Sequence, residues 1–290
     1  MLKAILRSMR LKQWAKNLLI FAGVIFDRQL TVWPSLWAAI SGFFLFSILS
    51  SGVYILNDLI DLEADKQHPR KKHRPIASGE LPIPLAYALG LAFVLIGLGL
   101  GYRLSPAFAL ISAISFLLNL AYSLWLKHLP IIDVITLASF YVLRVAAGVS
   151  IIQVQRFSPW LYVFATFAAL FLGVGKRRAE ISLATKAGKQ TRRVLEGYTA
   201  PFLDQLLLAV LTLAILTYSL YTFSAPNLPE NHTMMLTIPF VIYGFFRYLY
   251  LVQVQKSGEA PEDVLFSDRP IQATILLWGL AVMLIFYRFN

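Results

Sequence analysis

The sequence contains no cysteine. Disulfides, thiolate nucleophiles and cysteine-ligated metal centres are therefore excluded. Charge is also scarce: Asp, Glu, Lys and Arg make up 14% of the 290 residues, where a soluble chain of this length carries about a quarter. Acidic residues are the scarcer kind, 15 against 26 basic ones. Hydrophobic residues reach 58% and the mean hydropathy is +0.67. Apolar runs of about 20 residues recur along the chain, each long enough to cross a hydrocarbon core of about 30 Å. Lipid leaves backbone groups no partner but each other, so the spans are helices; a barrel would show short alternating segments. The expected fold is all-α, a polytopic membrane protein forming a single domain over residues 1–290.

Nine spans are expected, at about 14–28, 34–56, 82–102, 105–126, 131–152, 158–176, 204–224, 234–254 and 271–288. Pro34, Pro82, Pro106, Pro130, Pro159 and Pro270 stand at or beside span starts, where a missing N–H costs least. The first span is short. No internal repeat is evident. The basic segment from Met1 to Asn17 has no small-residue cleavage site after it and reads as an uncleaved cytoplasmic segment. With the N-terminus in the cytoplasm, twenty of the 26 Lys and Arg residues fall on that side and four on the other, with Arg144 and Arg247 inside spans. That asymmetry sets the orientation. The long cytoplasmic loops are then 57–81 and 177–203. The net charge of +11 follows the inner membrane face in short loops, which argues against nucleic-acid binding and for membrane lipid headgroups or an anionic substrate.

The chain is organised around Asn57-Asp58-Leu59-Ile60-Asp61-Leu62-Glu63-Ala64-Asp65, at the end of the second span. At 100° per residue Asn57, Asp58, Asp61 and Asp65 share one helix face, and Glu63 points away. Carboxylates on one face repel unless a cation lies between them. Carboxylate and amide oxygens suit Mg²⁺, which keeps waters and shares phosphate oxygens with substrates. The bland alternative is a solvated helix end balanced by the basic run that follows.

Polar residues recur inside or beside other spans, where they are costly and tend to be functional. Asp133 starts the fifth span, with Thr136 and Arg144 on its arc. Asn119, Tyr122 and Ser123 share a face, with Lys127 one turn beyond. Tyr243, Arg247 and Tyr250 do likewise in the eighth span. Arg144 and Arg247 also admit a structural role, bonding between helices. Lys16 sits one turn into an apolar run, whereas Trp14 suits an interfacial anchor. Lys176 and Glu180 have the spacing of a helical salt pair.

Together NDLIDLEAD, HPRKKHRPIASGELP and YSLWLKHLPIID resemble the UbiA superfamily of intramembrane prenyltransferases. That resemblance implies a nine-helix bundle whose aspartate-rich loop binds a diphosphate through Mg²⁺ (Mn²⁺ as the alternative ion). Most members carry a second aspartate-rich motif after the sixth span; this chain has GKRRAE there. RLKQWAKN, FYVLRVAAG, GKRRAE and EDVLFSDRP are similar to the decaprenyl-phosphate phosphoribosyltransferase branch, with Leu11 where proline is expected. The branch resemblance implies transfer of phosphoribosyl from phosphoribosyl pyrophosphate to a polyprenyl phosphate in the cell membrane. In that reading Asp58, Asp61 and Asp65, with Asn57, hold the metal, and Asp58 and Asp61 are catalytic. Lys16, Arg74, Lys176 and Arg177 clamp donor phosphates, and Tyr122, Lys127 and Asp133 line the same cavity. Asp133 orients ribose hydroxyls or a basic neighbour. The rival reading is an aromatic prenyltransferase using a prenyl diphosphate and a quinone precursor; a basic second loop counts against it. A transporter or lipid-binding scaffold would explain the spans but not three carboxylates on one face at the membrane surface.

Overall fold

A computed structural model describes residues 1–69, 71–154, 158–187, 193–225, 228–255, 264 and 266–288. Among these there is no strand. The helices are α1 (Leu2–Ser8), α2 (Ala22–Phe26), α3 (Trp33–Ile60), α4 (Leu62–Gln67), α5 (Ile83–Leu104), α6 (Pro106–Leu124), α7 (Ile132–Val149), α8 (Pro159–Ala187), α9 (Ala200–Ser224), α10 (Ile238–Gln253) and α11 (Arg269–Arg288). Proline occupies the first turn of α3, α5, α6, α9 and α10. The Ser105 and Thr199 side chains accept from the Phe108 and Phe202 N–H groups and so cap α6 and α9.

Among the described residues, eight helical segments are long and apolar enough to cross a membrane, one fewer than the nine expected. The missing one is the first. Residues Leu11–Phe21 form a 3₁₀ helix that passes into the five-residue α2. Such a long 3₁₀ run is unusual. Its rise of about 2.0 Å per residue stretches the segment with α2 to roughly 30 Å, so it reaches bilayer length without being a regular α-helix. The narrow 3₁₀ backbone also allows close contact. A Cβ on Gly148 of α7 would lie 1.9 Å from the Ile20 carbonyl oxygen, so only glycine fits at this crossing.

The chain divides into two compact units. The first comprises Met1–Trp125 and Leu143–Val154. In it α3 and α5 pack through small residues: a Cβ on Gly52 would meet the Gly90 carbonyl at 2.8 Å, and one on Gly97 would meet Leu49 Cβ at 2.8 Å. Buried Ala4, Ile55, Leu59, Ile76, Leu81 and Ala86 pack together, which seats α1 and the 76–81 turn against the end of α3. The second unit comprises Leu126–Val142 and Gln155–Asn290. Its core joins Phe171 and Val174 of α8, Leu203, Leu207 and Leu211 of α9, and Tyr248 and Leu251 of α10.

Two loop boundaries shift. Residues 57–60 still belong to α3. In the expected loop 177–203, α8 continues to Ala187, because Arg177 bonds Glu180 and Arg178 bonds Ser182 along its polar extension. Residues 188–192 lie outside the described residues, as do Arg70 and the Glu262, Asp263 and Leu265 positions of EDVLFSDRP.

Candidate active site

In the first unit the aspartate motif closes α3 and opens α4. The helix is interrupted at Asp61 (φ −87°, ψ 8°), yet the Asp61 N–H donates to the Asn57 carbonyl and the Asp65 N–H to the Asp61 carbonyl, at 2.9 and 2.8 Å. The spacing of one helix face therefore persists across the break. Glu63 lies off that face and pairs with Lys66 at 2.7 Å.

Asp58 and Asp65 are only 4% and 1% exposed. Arginines meet both of them. Arg74 Nη1 donates to Asp58 Oδ1 at 3.0 Å and to Asp65 Oδ2 at 2.5 Å. Arg10 Nη2 reaches the same Asp58 Oδ1 at 2.5 Å, with its guanidinium over the Tyr54 ring, 4.9 Å from the centroid. Lys71 Nζ is 3.5 Å from Asp65 Oδ1. Asp58 and Asp65 thus stand in an ionic lattice with Arg10, Lys71 and Arg74, and among the described residues no three carboxylates or imidazoles already converge as a preformed metal cluster. Guanidinium groups relieve the repulsion between the acids. The donor set still fits a hard cation. It consists of buried carboxylates with the Asn57 amide oxygen beside them, and Asp65 Oδ1 accepts no hydrogen bond. Asn57 Oδ1 is positioned by the Ser123 hydroxyl at 2.9 Å. Asp61, Tyr122 and Lys16 are half-buried in the same unit.

Below Lys16, Asn17 is fully buried and donates to Ser47 Oγ at 2.9 Å, while Arg144 Nε donates to Asn17 Oδ1 at 2.7 Å. Trp14 Nε1 donates to Ser51 Oγ at 3.0 Å. These bonds give Arg144 the interhelical role that the sequence left open, and they fix the 3₁₀ segment to α3.

The second unit carries its own buried network. Asp133 and Arg177 are both 0% exposed. Arg177 Nε donates to Asp133 Oδ2 at 2.5 Å and Nη1 to Glu180 at 2.6 Å. The Tyr198 hydroxyl donates to Asp133 Oδ1 at 2.6 Å and accepts the Ile131 N–H at 2.5 Å. Burial first, and then the bond to Asp133, push the Tyr198 phenol above its ordinary range. Ile131 has φ 70°, a strained value for a β-branched residue. The Tyr198 bond and the close fit of Gly197 against Pro130 (2.5 Å for an added Cβ) hold this turn, which carries half-buried Lys127. Asp133 therefore meets a basic neighbour, and Arg177 is not an open cation. Lys176, the residue before it, is half-buried. Glu180 faces Arg177, an i,i+3 pair, in addition to any link with Lys176.

Two further ion pairs are structural. Arg178 meets Asp204 at 2.8 Å. Arg247 meets Asp268 at 2.8 Å, and Asp268 also accepts the Ile271 N–H at 3.0 Å, capping α11. Sequence reasoning missed Arg10, Lys71 and Tyr198 as site residues. Their only sequence signal was position, Arg10 opening RLKQWAKN and Lys71 lying in the basic run after the aspartates.

Residues 18–267 match the UbiA prenyltransferase family. The chain belongs to that family. It is a membrane-embedded transferase with the UbiA fold. It is 32% identical over 283 residues to a decaprenyl-phosphate phosphoribosyltransferase of Mycobacterium tuberculosis, covering 94% of this chain and 91% of the relative. The enzyme of the same description from Corynebacterium glutamicum is 31% identical, covering 97% and 86%. Among solved structures, a UbiA homolog from Archaeoglobus fulgidus bound to GPP and Mg²⁺ superposes with a TM-score of 0.74 at 22% identity, covering 98% of this chain and 99% of that one.

Proposed function

We propose that this chain transfers the 5-phosphoribosyl group of phosphoribosyl pyrophosphate to a polyprenyl phosphate, releasing diphosphate, with Mg²⁺ as its metal (Mn²⁺ as a substitute). The observation that carries this reading is the identity of about one third, spread over nearly the whole chain, with enzymes of that description. The chain is proposed to form one integral-membrane domain of the cell membrane, and the distribution of its basic residues favours a cytoplasmic N-terminus and site.

Both reactants are anionic, so the site must supply positive charge. Lys16, Arg74 and Lys176 are the proposed donor-phosphate contacts; Arg177, expected among them from the sequence, is fully buried between Asp133 and Glu180 and supports Lys176 from the interior. Tyr122 and Lys127 line the donor cavity, and Asp133 keeps Arg177 in place. Asn57, Asp58, Asp61 and Asp65 hold the metal. When bound, the metal neutralises charge that builds on the departing diphosphate. A phosphate oxygen of the lipid attacks the ribose C1 as the C1–O bond to diphosphate breaks. The acceptor is already an anion at neutral pH, so no strong general base is needed; positioning and fixed charge supply most of the rate.

The second reading, within the same prenyltransferase family, is an aromatic prenyltransferase that uses a prenyl diphosphate. A donor screen with purified protein separates the two. Turnover with phosphoribosyl pyrophosphate and a polyprenyl phosphate is expected. Turnover only with a prenyl diphosphate and an aromatic acid would overturn the proposal.

A further inference from the structure

Arg10 is held with unusual care for a residue near a chain end. It sits at φ 53°, ψ 55°, between α1 and the 3₁₀ segment, a left-handed conformation uncommon for a residue with a side chain. Its surroundings hold it there. The Met9 carbonyl accepts the Ser51 hydroxyl at 3.1 Å. Arg7 forks onto Glu80 at 2.7 and 3.0 Å and donates to the His73 carbonyl at 2.8 Å, tying α1 to the loop that carries Arg74. The outcome is that the Arg10 and Arg74 guanidinium groups both donate to the single oxygen Asp58 Oδ1.

The geometry gives this arrangement a purpose. Arg10, Lys71 and Arg74 surround Asp58 and Asp65. Arg74 alone bridges both carboxylates, yet Arg10 converges on the same Asp58 oxygen that Arg74 already occupies. A divalent cation at Asp58 and Asp65 would repel the guanidinium groups now lying on them. An arginine fork displaced from a carboxylate matches a phosphate oxygen pair equally well. Arg10 is also only partly buried, its side chain 30% exposed, so it has room to turn outward while the Tyr54 face keeps the cation in place.

We propose that Arg10 is a diphosphate-binding residue that shares Asp58 with the metal in alternation: on the carboxylate when metal is absent, on the diphosphate when metal is bound. The inference rests on the reading of a metal–diphosphate site, but not on which group the diphosphate carries. It predicts opposite signs for two affinities. Without Arg10, the metal loses a competitor and the diphosphate loses a ligand.

The test uses purified full-length protein in detergent, with Mn²⁺ binding followed by electron paramagnetic resonance and inorganic pyrophosphate binding by calorimetry in saturating Mn²⁺. Arg10→Ala is expected to tighten Mn²⁺ several-fold when no pyrophosphate is present, and to weaken pyrophosphate by about tenfold, the scale of one charge-assisted contact. Arg10→Lys keeps the charge but loses the fork, so it should shift both affinities the same way by less; it carries the test should the alanine variant not fold. Unchanged pyrophosphate affinity in the variants overturns the inference, whatever Mn²⁺ does, and so does a parallel loss of both affinities. Wild-type protein that binds neither Mn²⁺ nor pyrophosphate would overturn the metal–diphosphate reading itself.

Discussion

Asp133→Asn tests the buried network of the second unit without any substrate. The substitution preserves volume and a hydrogen-bond acceptor for Tyr198 but removes the charge opposite Arg177. Arg177 is fully buried and bonded to Asp133 at 2.5 Å, with Glu180 at 2.6 Å as its second carboxylate. Breaking a buried ion pair costs about 3–5 kcal/mol, because the remaining charge stays desolvated. Glu180 compensates part of it, so the low end, about 3 kcal/mol, is expected. That is a large share of a total stability on the order of 5–15 kcal/mol. Heat-induced unfolding in detergent, followed by intrinsic fluorescence, should show a Tm lower by roughly 6–12 °C. Arg177→Met should also destabilise, and Asp133→Asn with Arg177→Met should cost less than the sum of the two by about 1–3 kcal/mol. A Tm within about 2 °C of wild type for Asp133→Asn, or strict additivity in the double variant, would show that the pair is not the buried, coupled unit described here.

Activity should disappear in chelator and return with Mg²⁺, and Asp58→Asn or Asp61→Asn should lower kcat by at least about a hundredfold; steady-state assays with and without metal decide this, and full activity in chelator would refute it. Lys176→Ala should raise the KM for phosphoribosyl pyrophosphate or lower kcat with the Tm unchanged, whereas wild-type kinetics would reduce this cation to a topology signal. The Arg247 bond holds the Asp268 carboxyl below its usual range. Its stabilisation is therefore complete above the unfolded-state pKa of about 3.9 and is lost as pH falls through the lower folded value. Asp268→Asn should lower Tm at pH 7 and flatten the acid limb of the Tm–pH profile; an acid limb identical to wild type would refute the assignment.

The eight long helices were legible because each is an apolar run of bilayer length, often opened by proline. The 3₁₀ segment was not. A short run of apolar residues reads much the same at 3.0 or 3.6 residues per turn, and the close partner of the segment, Gly148, lies far away in sequence. The extension of α8 to Ala187 was missed because it carries no apolar run and is supported in part by side-chain pairs such as Arg177–Glu180. In the aspartate motif, spacing revealed the shared face of Asp58, Asp61 and Asp65. It could not reveal that Arg10, 48 residues from Asp58, would complete the charge balance. The same holds for Tyr198, 65 residues from Asp133. Arg177 shows the limit of reading cations from sequence: charge was visible, but its burial depends on tertiary packing.

The crossing of Gly148 over the Ile20 carbonyl sets a sharp contrast in mutational tolerance. A saturation library at position 148 has one acceptable member, because even a methyl group would occupy the space of a backbone oxygen. Gly99 and Gly279 have nothing within 4 Å of an added Cβ, and there alanine should be accepted and even raise helix stability by about 0.5–1 kcal/mol. Glycines of similar appearance in the sequence thus divide into a fixed joint and interchangeable filler. Drift at the joint would have to be matched by withdrawal of the whole segment bearing Lys16 and Asn17, two changes that no single codon can supply.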